Sequence, residues 1–224
     1  MEKSIKKYNF YGRRRLKKLK KSHIKYLDEL LPVLNIENSK IFDNTFHSDR
    51  EVWLEIGFGS GEHLISIAKK NPKIFFVGFE PFVDGVTKIL SKILFNDLKN
   101  IFIYPDDFRE IIKKIPSSRI GNIFLLFPDP WPKKRHQKRR LINENIIEEF
   151  SRIMIKGSYF YTATDVGDYF NFIKERFRSN INFIENKSIN FSDGEKWKGW
   201  VETRYEQKGI KQGRIAKYTS FQKV

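Results

Sequence analysis

The stretch of this 224-residue chain with the most chemical potential is Phe127-Pro128-Asp129-Pro130-Trp131-Pro132, followed at once by Lys133-Lys134-Arg135-His136-Gln137-Lys138-Arg139-Arg140. Three prolines restrict the backbone around one carboxylate and one indole, so Asp129 sits on a stiff, non-helical loop. Trp131 offers a flat face for stacking a base, or plugs the edge of a core. The run after it places six Lys or Arg in eight positions. Charges that dense repel one another unless a partner neutralises them, and phosphates are suitable partners; the alternative is a solvated loop.

A second constellation lies upstream, in Leu54-Glu55-Ile56-Gly57-Phe58-Gly59-Ser60-Gly61. Glycines allow a tight turn and a close approach of ligand to backbone. A dinucleotide fingerprint needs glycine at position 62, which is Glu here. The pattern is instead G-x-G-x-G with Glu55 two positions ahead. A phosphate site would want a cation at the loop, and no Lys or Arg occurs from 52 to 68. An acid there favours a cationic ligand such as a sulfonium. Two further carboxylates extend the site. Glu80 comes 19 residues after Gly61 and suits a pair of ribose hydroxyls. Asp107, with Asp106 beside it, suits an adenine amino group. Each is equally a helix-capping acid.

These residues need a frame, and composition says what kind. With 40% hydrophobic and 15% aromatic residues, 21 of them Phe, the chain can bury one full α/β core. The net charge is +16 and the pI about 9.8. Eleven Lys or Arg against one Glu fall in residues 1–25, which points to a polyanionic partner. With no cysteine, disulfides, thiolate metal sites and cysteine nucleophiles are excluded. The four histidines, His23, His47, His63 and His136, lack metal-ligand spacing, so a metal-independent reaction is expected. No apolar run reaches the roughly twenty residues of a membrane span, the N-terminus lacks the apolar core of a signal peptide, and the cytoplasm is the expected location.

Periodicity predicts a basic amphipathic helix over 12–31 ended near Pro32, and a polar loop over 35–50. Strands follow at 52–56, 74–79, 101–104, 123–127 and 158–164. Helices are expected from the glycine loop to 70, and over 82–95, 108–115, 146–154 and 169–177. The alternation implies a mostly parallel, doubly wound sheet. The tail is less regular: a short strand at 181–184, a polar mobile segment at 186–199, and a last strand at 215–221 pairing antiparallel.

Taken together, these segments resemble the bacterial tRNA (guanine-N7-)-methyltransferases, within the class I S-adenosylmethionine-dependent methyltransferases. The resemblance is carried by the glycine motif at 54–61, by 78–81, by the FPDPW…KRR stretch at 127–140, by Ala163-Thr164-Asp165, and by Thr203-Arg204-Tyr205-Glu206 with Gly209. The basic entry at 11–32 is similar too. The 127–140 stretch is the most specific of these. The residues that follow Glu80 depart from the family's commoner wording, whereas Pro132 falls within its usual variation.

The resemblance implies a Rossmann-like fold, with residues 1–34 as a basic arm and helix and 35–224 as the methyltransferase domain. It implies cofactor contacts at Glu55, Gly57, Gly59, Gly61, Glu80, Asp107 and Asp129. Substrate contacts are implied at Lys133, Asp165, Thr203, Arg204, Tyr205 and Glu206, and RNA contacts at Arg135, His136, Gln137, Lys138, Arg139 and Arg140. Asp165 is otherwise a helix cap, and Glu206 a partner for Arg204 or Lys208. The implied product is 7-methylguanosine at guanosine 46 of the tRNA variable loop, with Asp129 as the catalytic residue. Guanine N7 carries a free lone pair, so Asp129 is expected to orient and stabilise charge rather than to act as a base. Methylation of another RNA, a non-enzymatic RNA-binding protein with a relic cofactor fold, and a dinucleotide oxidoreductase are the alternatives. The expected assembly is a monomer or a homodimer.

Overall fold

Short runs of β-branched and aromatic residues build the sheet: Val52–Ile56 (β1), Phe75–Phe79 (β2), Ile101–Tyr104 (β3), Ile120–Leu126 (β4), Tyr159–Thr164 (β5), Phe183–Glu185 (β6) and Lys217–Lys223 (β7). They lie in the order β3-β2-β1-β4-β5-β7-β6. The first five are parallel, and β7 runs antiparallel between β5 and β6. The expected mostly parallel sheet with an antiparallel last strand is the observed one. The computed structural model describes Arg14, residues 18–187, Lys196, Trp197 and residues 199–224.

Side chains alternate across this sheet, so each strand feeds two cores. Val52, Leu54 and Ile56 of β1 and Ile123 and Leu125 of β4 pack on one face, with Ile146, Ile147 and Phe150 of Glu144–Ile153 and Ile173 and Phe177 of Gly167–Arg178. Phe76, Phe124 and Leu126 point the other way, under Leu64, Ile65 and Ala68 of Glu62–Lys70 and Val86, Ile89 and Leu90 of Val83–Phe95. In chain order the helices are α1 (Lys21–Glu29), α2 (Leu31–Leu34), α3 (Ser39–Phe46), α4 (Glu62–Lys70), α5 (Val83–Phe95), α6 (Glu144–Ile153), α7 (Gly167–Arg178) and α8 (Arg204–Lys211).

Connectivity places the site. The chain steps outward from β1 to β2 to β3, then returns to lay β4 on the other side of β1. Such a reversal leaves a crevice at the carboxyl ends of the two central strands, where open α/β sheets bind ligands. The glycine loop leaves β1 there, and the Phe127 loop leaves β4.

Several expected elements differ. The basic N-terminal helix begins at Lys21 after extended Lys20, and Pro32 opens α2 instead of ending a helix, because a first helical turn does not use the missing N–H. Residues 1–13 and 15–17, which carry the rest of that expectation, lie outside the described residues. The polar segment at 35–50 contains α3. Its N-cap Asn38 accepts from the N–H groups of Lys40 and Ile41, and Arg119 gathers the carbonyls of Thr45 and Phe46 at its far end and of Ser48 and Arg50 just beyond. The helix expected at 108–115 is two 3-10 turns, Phe108–Glu110 and Ile112–Lys114, which bury Phe108, Ile111, Ile112 and Ile115 ahead of Pro116. In the segment expected to be polar and mobile, Trp197 is buried at 5% exposure; residues 188–195 and 198 lie outside the described residues.

Candidate active site

A cavity of about 580 Å³ opens at the switch point, lined by the glycine loop, the ends of β2 and β4, and the start of α8. That size suits a ligand of nucleoside scale. Glu55, Gly57, Gly59, Glu80, Asp107, Asp129, Thr203, Arg204 and Tyr205 all line it. Gly57 and Gly59 have φ of +73° and +57°, and a Cβ on either would meet nothing within 4 Å, so their bare side faces open space. Gly61 does not line the cavity. It caps α4 at φ +74°, where a Cβ would strike Ile89 at 2.6 Å.

Glu80 ties the loop to the next helix. Its carboxylate accepts from the N–H of Gly59 at 2.7 Å and from that of Phe82 at 3.0 Å. Burial raises its pKa above the ordinary carboxylate value, against these two bonds, and Asp129 and Glu55 push in the same direction as burial. Asp107 caps the first 3-10 turn through the N–H of Arg109 at 2.9 Å and pairs with that residue's guanidinium at 2.6 Å. The capping role is thus realised in the same carboxylate that lines the cavity. Glu55, on the face opposite Leu54, pairs with buried His63 of α4 at 2.7 Å.

Asp129 makes no hydrogen bond or ion pair among the described residues. Its side chain is open to solvent on one side and to the cavity on the other. Partial desolvation by the cavity walls raises its carboxyl. The loop that carries it is strained. Phe127 and Trp131 both adopt left-handed φ, +51° and +42°, a conformation costing about 1 kcal/mol per non-glycine residue. The Phe127 N–H is held by the Ala163 carbonyl at 2.7 Å.

The basic run divides. Lys133 is exposed just ahead of a 3-10 helix, Lys134–Arg139, on which Lys134, Arg135 and Lys138 are exposed, with His136 and Gln137 half-buried between them. Partial desolvation and then Arg139, Arg135 and Lys133 hold the His136 imidazole below its ordinary value. Arg139 turns back over the Trp131 ring at 4.9 Å and lines the cavity. Arg140 departs from the expected RNA-facing run: it is 2% exposed, donates to the Pro130 carbonyl at 2.9 Å, pairs with Asp168, and lies between the rings of Tyr169 and Phe172. The loop closes on its own last cation.

The C-terminal candidates divide too. Thr203 caps α8, accepting from the Glu206 N–H at 3.1 Å. Asp165 and Glu206 lie behind the rim and do not line the cavity. Asp165 pairs with Arg214, whose guanidinium also donates to the Tyr205 hydroxyl at 2.9 Å and lies over its ring. Tyr205 packs on Phe127. Glu206 is buried, bonded to Tyr218 and to the Lys196 ammonium at 3.0 Å.

Residues 49–219 match the family model described as "Putative methyltransferase". The chain is 37% identical to the tRNA (guanine-N(7)-)-methyltransferase of Cereibacter sphaeroides, over 96% of this chain and 91% of the relative. It is likewise 37% identical to the enzyme of the same name from Paracoccus denitrificans, over 96% and 94%. The chain belongs to the tRNA (guanine-N(7)-)-methyltransferase family. In fold it is similar to the 16S rRNA methyltransferase KamB, with a TM-score of 0.55 at 13% identity over 83% of this chain and 93% of that one.

Within this family member, sequence reasoning passed over His63, Arg109, Arg139 as a cavity residue, and Arg214. Only α8 had a local signal: Thr203-x-x-Glu206 is the spacing of a helix N-terminal capping box. Among the described residues, no group of three His, Asp or Glu is placed to hold a metal, and no helix is long and apolar enough to cross a membrane.

Proposed function

We propose that this chain transfers the methyl group of S-adenosylmethionine to N7 of a guanosine in tRNA, guanosine 46 of the variable loop. The observation that carries the reading is the single cavity shared by the glycine loop, Asp129 and Trp131, and the Thr203–Tyr205 rim. When bound, S-adenosylmethionine supplies a methyl activated by a positive sulfur. The open glycine side, the acids Glu55, Glu80 and Asp107, and the lack of a cation in residues 52–68 suit that donor better than a pyrophosphate.

In this reading Glu80 and Asp107 hold the nucleoside part and Glu55 meets the cationic end. Asp129, unpaired and rigidly carried, faces both the donor and the guanine. Guanine N7 needs no deprotonation, so the residues around it orient the base and stabilise the positive charge the purine gains. Trp131 and Arg139 offer a stacking wall for an extruded base. Thr203, Arg204 and Tyr205 form the substrate side of the mouth. Asp165 and Glu206 support that side from behind, through Arg214 with Tyr205 and through Tyr218 with Lys196. Lys133, Lys134, Arg135 and Lys138 take phosphates, with His136 and Gln137 as polar contacts between them. Arg140 is withdrawn from that set and braces the loop.

The test is methyl incorporation into unmodified tRNA, followed by digestion to nucleosides. Label in 7-methylguanosine, lost when guanosine 46 is replaced, is the expected result. Label in another nucleoside, or none, refutes the proposal.

A further inference from the structure

The buried pair behind the glycine loop has a role that the binding of a nucleoside does not require. His63 Nδ1 lies 2.7 Å from Glu55 Oε2, with side chains 0% and 3% exposed. The second ring nitrogen, Nε2, is buried without a hydrogen-bond partner among the described residues. Rings enclose it: Phe124 at 4.8 Å, Trp200 at 5.6 Å and Trp197 at 6.5 Å between centroids. On the far side of that box, Lys196 lies 5.6 Å from the Trp200 ring and is paired with Glu206.

We propose that His63 is a positioning residue that lets the pocket tell a cationic ligand from its neutral counterpart. Two tautomers are possible for a neutral imidazole. A proton on Nε2 would bury an unpaired N–H among rings and turn a bare lone pair toward a carboxylate, and both are costly. The Nδ1–H tautomer avoids both and donates to Glu55. The proton then stays on the ring, and the negative charge stays on Glu55 at the cavity wall. A fixed carboxylate in a partly desolvated site attracts the sulfonium of S-adenosylmethionine and gives nothing comparable to the thioether of S-adenosylhomocysteine, the product left after transfer. The inference rests on the methyl-donor reading of the cavity. It adds that discrimination between donor and spent product depends on a residue that does not line the cavity.

The experiment is titration calorimetry of both ligands with the full-length protein. His63→Leu is expected to weaken S-adenosylmethionine about ten-fold while changing S-adenosylhomocysteine by less than about two-fold. His63→Asn, whose amide N–H occupies the place of Nδ1–H, is expected to recover most of the loss. In a Glu55→Gln background, His63→Leu should leave the ratio of the two affinities unchanged. If His63→Leu does not fold, His63→Gln, whose amide reaches the Nε2 position instead, takes its place with the same expected split. Parallel weakening of both ligands, or no weakening of either, overturns the inference and leaves the methyl-donor reading standing. A wild-type protein that binds neither ligand overturns both.

Discussion

The two ends of the 127–140 stretch are fixed by different means. At its start the backbone does the work: Phe127 is bonded to Ala163, and the left-handed turns at Phe127 and Trp131 aim Asp129 at the cavity. At its end a side chain does it: Arg140 is buried between two rings and pinned to Pro130 and Asp168. Between these anchors, Lys133 to Lys138 are mostly exposed. The difference is instructive. A group that must meet a reacting atom needs a rigid carrier, whereas cations that meet a long polyanion work through long-range charge and need little order.

Removing the carboxylate at the rigid end should have the largest effect. Asp129→Ala is expected to lower kcat about 100-fold, the scale of losing one preorganised electrostatic group, with unchanged thermal stability. A variant with wild-type kcat would remove Asp129 from the chemistry. At the other end, Arg140→Met should destabilise the fold by about 2 kcal/mol, read from urea denaturation. This sits below the usual range for breaking a buried ion pair because Asp168 is largely exposed. A loss of tRNA affinity at unchanged stability would return Arg140 to the RNA-facing set.

Neutralising the middle tests the comparison more finely. Replacing Lys134, Arg135 and Lys138 with Gln should reduce the slope of log affinity for tRNA against log salt by about 2 to 3. Affinity for S-adenosylmethionine should hold; if it falls in step, the two ends are not separable. The smallest effect concerns pH. Burial raises the Glu80 carboxyl, and partial desolvation raises that of Asp129. A cationic ligand favours their ionised forms, so its binding releases protons in the mildly acid range. Its affinity should therefore fall, by a few-fold, as pH drops through these raised values, before ordinary carboxylates titrate. S-adenosylhomocysteine should show less of this dependence.

The periodic part of the fold was legible from residue order. Apolar strands such as 52–56 and 101–104, and the stripe from Val83 to Phe95, state their own secondary structure because burial imposes period 2 or 3.6. Motifs with stiff or permissive backbones were legible as well, since glycine and proline act locally. Elements held by distant partners were less so. α3 is short and polar, and it stands on Asn38 and on Arg119, more than seventy residues away. α8 is mostly polar and announces itself only by Thr203 and Glu206.

Sequence alone therefore determined the family, the alternating α/β order, the acidic glycine loop and the existence of a basic run beside a proline-bound Asp. These follow from residue type and spacing, which act over a few residues. Tertiary structure alone decided which of those charges face the cavity. It turned Arg140 inward, set Asp165 on Arg214 and Glu206 on Tyr218 behind the rim, and buried His63 against Glu55. A charge seeks whatever partner the fold brings within about 3 Å, and the chain crossing that brings β4 back beside β1 is written in no local stretch of sequence.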